Sequence, residues 1–142
     1  YPHVTFWMER HADCIRLCDQ VGHPNLGIVL VAIHWYVERR PEELASFLRA
    51  VHPYVRKLHL SGFEFTPLGW GGIGRTLTLD LGELDNFALV SSMLKLGYDG
   101  PIGFLSWQDG GDPYVKLQRS HEVLTSLVRR AEAHPEWSSH IF

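Results

Sequence analysis

A small set of side chains has the chemistry to hold or act on a ligand: His34, His59, Glu64, Arg75, Trp35 and Trp107. His34 follows the unbroken apolar run Leu26–Ile33, and His59 is one residue short of the end of a shorter, partly alternating segment, VRKLHL over 55–60. Two imidazoles can ligate zinc or a similar ion, but two donors without an acid are too few for a stable site. Glu64, just beyond His59, would supply a third ligand or an acid/base group. Weighed against a His34–His59–Glu64 metal site is a plainer reading, which prevails here. In it both histidines hydrogen-bond to neighbours or to a ligand hydroxyl. Trp35, Trp70 and Trp107 fall at segment ends or in loops, where a flat aromatic face either stacks on a sugar ring or covers the core. Arg75, in a glycine-rich stretch, could pair with a phosphate as a bidentate donor or remain solvated. Cys14 and Cys18 lie four apart on one helix face and read as neighbouring core thiols. Ser61 and Ser106 lack the Gly-x-Ser-x-Gly elbow of a serine hydrolase.

The elements that must position these residues follow from periodicity. Leu26–Ile33 has no polar alternation, the pattern of a strand buried on both faces in a parallel sheet. Tyr1–Phe6 reads as a short strand, with Pro2 at its start. Arg10–Gly22 has helical spacing at Cys14, Ile15, Cys18 and Val21 and stops at Gly22. Pro41, Glu42 and Glu43 open a second helix with its apolar stripe at Leu44, Phe47, Leu48 and Val51, ended by Pro53. Val55–Leu60 is the third strand. Ser61–Leu81 is a long glycine-rich connection, and connections of that length are usually functional or mobile. Asp85 caps a helix carrying Leu89, Val90, Met93, Leu94 and Leu96. Ile102–Trp107 is the fourth strand. Asp112-Pro113 opens the last helix, with Leu117, His121, Leu124, Leu127 and Val128 on one face. The tail from about residue 132 loses its pattern and is expected to fray. The order is four strand–helix units, an α/β fold with a parallel sheet, in which chemistry collects at the carboxyl ends of the strands. No phosphate-binding glycine fingerprint follows the first strand, which disfavours a dinucleotide site.

The 142 residues suffice for one domain with a real core. A formal charge of −3 disfavours a nucleic-acid partner, and no apolar run is long enough to cross a bilayer. Free thiols fit a reducing compartment, and the cytoplasm is the expected location.

Several segments resemble the sugar phosphate isomerase/epimerase superfamily, the xylose isomerase-like TIM barrels. Gly97-Tyr98-Asp99-Gly100-Pro101-Ile102 is similar to the family's approach to its last strand, and Asn25-Leu26-Gly27-Ile28 to its entry to strand six. His34 stands where the family has the His of an Asp-x-x-His tip. Lys57-Leu58-His59-Leu60 resembles the seventh strand, and Leu81-Gly82-Glu83-Leu84-Asp85 the lead into helix seven. The resemblance extends over nearly the whole chain to about Arg130. It implies that the chain, 1–142, is the C-terminal half, strands five to eight, of a (β/α)8 barrel, which in full runs to roughly 250 residues. The missing half would then lie upstream, or two copies would close as a homodimer.

The resemblance further implies a divalent ion held by carboxylates at strand tips. On this alignment those positions are Tyr1, Val31 and Leu105, none of which offers a carboxylate, so no metal or other cofactor is expected. A subgroup of such barrels with amide or apolar tips is similar in this respect. The expectation is a sugar isomerase/epimerase-like protein that binds a small polyhydroxy compound at the strand tips. Its isomerase activity would lack the usual metal. His59 and Glu64 take acid/base roles, while His34, Trp35, Trp107 and Arg75 contact the ligand. The alternative is a non-catalytic carbohydrate-binding or structural barrel segment. An apurinic endonuclease shares the fold but needs a cluster of metal-binding acids and a basic face, and the sequence shows neither.

Overall fold

The structure, a computed structural model, describes residues 1–37, 43–107 and 110–138. Its centre is a three-stranded parallel sheet in the order β1 (Ile28–Val31), β2 (Val55–Leu60), β5 (Ile102–Phe104). The register sets Val31 beside His59 and His59 beside Gly103. Side chains alternate across a strand, so Leu30, Leu58, Leu60, Ile102 and Phe104 share one face while Val29, Val31, Lys57, His59 and Gly103 share the other. Leu30, Leu58 and Leu60 are fully buried and form one core with Leu48, Val51, Leu89, Val90 and Met93 of the helices.

Helix α1 (His11–Val21) ends on Gly22, whose left-handed backbone brings its N–H to the Cys18 carbonyl at 2.9 Å. Cys14 is buried and both thiols are free. Helix α2 (Ala32–Val37) follows β1 without a break, so the apolar run passes from strand to helix at Ala32, and His34 sits on a helical turn rather than at the end of an extended segment. Helix α3 spans Leu44–Val51, and the expected start at Pro41-Glu42 lies outside the described residues. A 3-10 turn, His52–Tyr54, leads into β2. Helix α4 (Asn86–Lys95) is capped by the Asp85 carboxylate, which accepts from the Ala88 N–H at 2.8 Å. Helix α5 (Pro113–Ala133) is capped by Asp112 in the same way. Leu117 and His121 are exposed on it, and the inward stripe is Ser120, Val123, Leu124, Leu127, Val128 and Ala131. Past α5, Pro135–Ser138 forms a 3-10 turn in which Trp137 stacks on His134.

Two sequence expectations are corrected. Tyr1–Phe6 is not a strand but a run of turns: the His3 N–H bonds to the Met8 carbonyl and the Phe6 N–H to the His3 carbonyl, each at 3.0 Å, and Thr5 has φ 72°. Among the described residues the parallel sheet therefore has three strands, not four. The stretch 61–81 is not an open loop but an antiparallel ribbon, β3 (Gly62–Trp70) with β4 (Gly74–Leu77). Its tip is Gly71-Gly72, both at positive φ, with the Ile73 N–H on the Trp70 carbonyl at 3.0 Å. That is the pattern of a type I′ hairpin turn, where glycine relieves the steric penalty.

Candidate functional site

A cavity of about 610 Å³ opens at the carboxyl ends of the parallel strands. Val31, His59 and Leu105 form its floor, Ile33 and His34 of α2 one wall, and Trp107 another. Tyr1, His3, Thr5 and Phe6 reach over it from the amino-terminal turns, and Trp70 and Gly71 from the ribbon tip. Tyr1, Val31, His59 and Leu105, far apart in the sequence, thus meet at one mouth.

His34 is buried, with its Nδ1 cut off from solvent and from any hydrogen-bond partner. Its ring lies 4.3 Å from that of His3 and stacks against Tyr1 at 5.8 Å. Burial, then the nearby His3, pulls its pKa down to about 4, so at neutral pH it is an uncharged imidazole. Burial, then Lys57 on the same strand face, also lowers the pKa of His59. His59 lies across Gly103 of the neighbouring strand: a Cβ at 103 would stand 2.8 Å from His59 Cδ2 and 3.1 Å from its Nε2. Trp107 is half exposed, and its carbonyl accepts a hydrogen bond from the buried Thr76 hydroxyl of β4, which ties the loop to the ribbon.

The remaining sequence candidates lie elsewhere. Trp35 is buried and stacks on Phe47 at 5.3 Å with nearly parallel rings, so it packs the core and does not face the mouth. Glu64 and Arg75 face each other across the ribbon in a 2.8 Å ion pair and line a small groove with Thr66, Leu68 and Gly69. Each is the other's partner, and Glu64 does not join His34 and His59. The sequence gives no sign that His3, Thr5 and Phe6 reach the mouth, because their segment has the composition of a short strand. Trp70 at the mouth was placed only loosely, although the Gly71-Gly72 dipeptide is a hairpin signal that would have set it beside the strand ends.

The donor set can be tested against the divalent ion that the resemblance implies. Val31 and Leu105 offer hydrocarbon, Tyr1 a phenol, and His3, His34 and His59 imidazoles. A hard ion needs carboxylate or carbonyl oxygens, and among the described residues no group of three or more His, Cys, Asp or Glu side chains is placed to hold a metal. The described residues at this mouth do not fit a carboxylate-held ion. What they offer is an apolar, aromatic enclosure with imidazoles, that of His34 uncharged, suited to stacking on a ring face and hydrogen bonding to hydroxyl groups.

No helix among the described residues is long and apolar enough to cross a membrane. Among curated proteins none matches the chain significantly. Solved structures do. An L-ribulose 3-epimerase superposes with a TM-score of 0.68 at 14% identity, covering 93% of this chain and 46% of that one. A xylose isomerase domain protein from Planctomyces limnophilus gives 0.67 at 23% identity, over 88% of this chain and 44% of that one. A xylose isomerase-like TIM barrel protein from Mycobacterium smegmatis, in complex with magnesium, gives 0.67 at 20% identity, over 88% and 41%. At these identities the likeness is one of fold, and the chain spans less than half the length of each of these proteins. The family model for xylose isomerase-like TIM barrels matches residues 2–127. The chain belongs to the xylose isomerase-like TIM barrel family.

Proposed function

We propose that the chain binds a small polyhydroxy compound in the cavity at its strand ends, and that carboxylate-held metal chemistry is not part of what its own residues do there. The observation that carries this reading is the convergence of Val31, Leu105, His34, His59 and Trp107 on one cavity of about 610 Å³. Trp107 would stack on the ligand's carbon skeleton, and His34 and His59 would contact its hydroxyls. The fold supports correspondence of β1, β2 and β5 to strands six, seven and eight of a full barrel, in a branch whose tips have exchanged acids for apolar side chains. Glu64 and Arg75 would stiffen the ribbon from outside the cavity.

The test is calorimetric titration with a panel of ketoses, aldoses and polyols, with and without Mg²⁺, Mn²⁺ and Zn²⁺, followed by incubation in D₂O to detect exchange at carbon. The expected result is saturable binding that needs no ion, weakened by His59→Ala and Trp107→Ala, without exchange. A stoichiometric ion lost in His59→Ala, together with turnover, would overturn the reading in favour of a working isomerase.

A further inference from the structure

We infer that His3, on the amino-terminal turn over the mouth, is the hydrogen-bond acceptor for a ligand hydroxyl, and that with His34 it makes a split acceptor–donor contact for a vicinal diol; this rests on the binding reading above. The ring of His3 lines the cavity, and its Nδ1 lies 2.7 Å from the Val4 carbonyl oxygen. A carbonyl only accepts, so Nδ1 carries the proton, and in the neutral ring Nε2 holds the lone pair. Next to it, His34 has its Nδ1 buried without a partner, and the residue lines the same cavity as His3. An orphaned N–H is costlier to bury than an orphaned acceptor, which places the His34 proton on Nε2. Two rings 4.3 Å apart thus present opposite polarities, one accepting and one donating. Adjacent hydroxyls on a carbon chain match that pattern, since each both donates and accepts.

The backbone holds His3 there under strain. Thr5 is a β-branched residue at φ 72°, outside the region such residues adopt freely, and its N–H is tied to Glu9 Oε1 at 3.0 Å. Strain of this kind persists where the surroundings over-determine it, and it clusters at ligand sites. Here it turns the chain so that Phe6 packs on His3, ring centroids 4.2 Å apart, and both lie over the cavity.

The experiment uses D-fructose and its 1-, 3- and 4-deoxy analogues with wild type, His3→Phe and His3→Gln. Phe keeps the ring contacts and removes the acceptor, while Gln restores an oxygen near the position of Nε2. His3→Phe is expected to weaken fructose about threefold to tenfold, to lose no further affinity for the one deoxy analogue that lacks the accepted hydroxyl, and to be partly rescued by Gln. Imidazole ¹⁵N spectra of the wild type are expected to show His3 protonated on Nδ1, with Nε2 shifting on ligand addition. Undiminished fructose affinity in His3→Phe, or a His3 proton on Nε2, would overturn this inference while leaving the binding reading intact. Absence of fructose binding to wild type, with the other sugars equally silent, would remove both.

Discussion

Gly103→Ala is the substitution with the most to say about the mouth. Gly103 pairs with His59 across β2 and β5, and an added Cβ would stand 2.8 Å from the imidazole Cδ2, 3.1 Å from Nε2 and 3.3 Å from Lys57 Cε. Ordinary carbon contacts begin near 3.5 Å, so the ring must retreat by about 0.7 Å or more. The struck atoms are ends of flexible side chains and the backbone is extended, so the fold has an easy response. Replacing glycine at a compatible position also removes freedom from the unfolded chain, a gain of about 0.4–1 kcal/mol. Global stability should therefore change by less than about 1 kcal/mol in urea melts. Binding should not escape so lightly, because a contacting group must stay within about 0.5 Å of its productive position. Loss of one hydrogen bond weakens binding about twofold to tenfold. Calorimetry with the sugar panel reads the affinity, and imidazole ¹⁵N correlations read whether the His59 ring has moved. Unchanged His59 resonances and affinity, or a stability loss above about 2 kcal/mol with affinity intact, would refute the claim that Gly103 clears space for His59.

Two further outcomes follow from the same geometry. Burial, followed by the influence of His34, lowers His11 to about 3, and His34 itself lies at about 4, both below the ordinary 6.5. The unfolded chain therefore takes up protons first: the stability these histidines contribute is fully present above pH 6.5 and falls as the pH drops from 6.5 through about 4 for His34 and about 3 for His11. Urea melts across that range should show the decline, and His11→Leu should flatten it; a slope unchanged in His11→Leu would contradict this assignment. Asn86, buried at the start of α4, donates from Nδ2 to the carbonyls of Ser61 and Leu79 at 3.0 Å each. Asn86→Leu strands both acceptors and should cost about 2–4 kcal/mol in a chemical melt, and a cost under about 1 kcal/mol would show that the ribbon exits do not depend on it.

The sequence shows some of this arrangement clearly and hides the rest for identifiable reasons. Ile28–Val31 betrays itself as a buried strand because a parallel strand covered on both faces has no polar side, and Val55–Leu60 shows itself by partial alternation, with Val55, Leu58 and Leu60 buried. Asp85 and Asp112 mark helix starts because a short carboxylate satisfies an N–H that the helix leaves open. Ala32–Val37 continues the same apolar run yet turns helical, since periodicity alone does not separate a short buried helix from a strand. For the same reason Trp35, read as a stacking platform, belongs to the core. The ribbon over 62–77 was obscured by its glycines, which suggest an open loop until Gly71-Gly72 is taken as a turn between Phe63-Glu64-Phe65 and Arg75-Thr76-Leu77. Once those strands pair, Glu64 and Arg75 are opposite each other and form an ion pair outside the lining of the strand-end cavity. His3 was hidden most thoroughly, because only the folded turns around Thr5 bring it to His34.

The central claim concerns one place on the molecule, and a chemical-shift map tests it most directly. Backbone and imidazole resonances of the wild-type chain would be followed as D-fructose and the other sugars are added. The account predicts saturable shifts concentrated at His3, Val31, His34, His59, Leu105 and Trp107, with Glu64, Arg75 and Trp35 little moved. Shifts centred on Glu64 and Arg75, or none at any residue around the strand ends with every sugar of the panel, would contradict it.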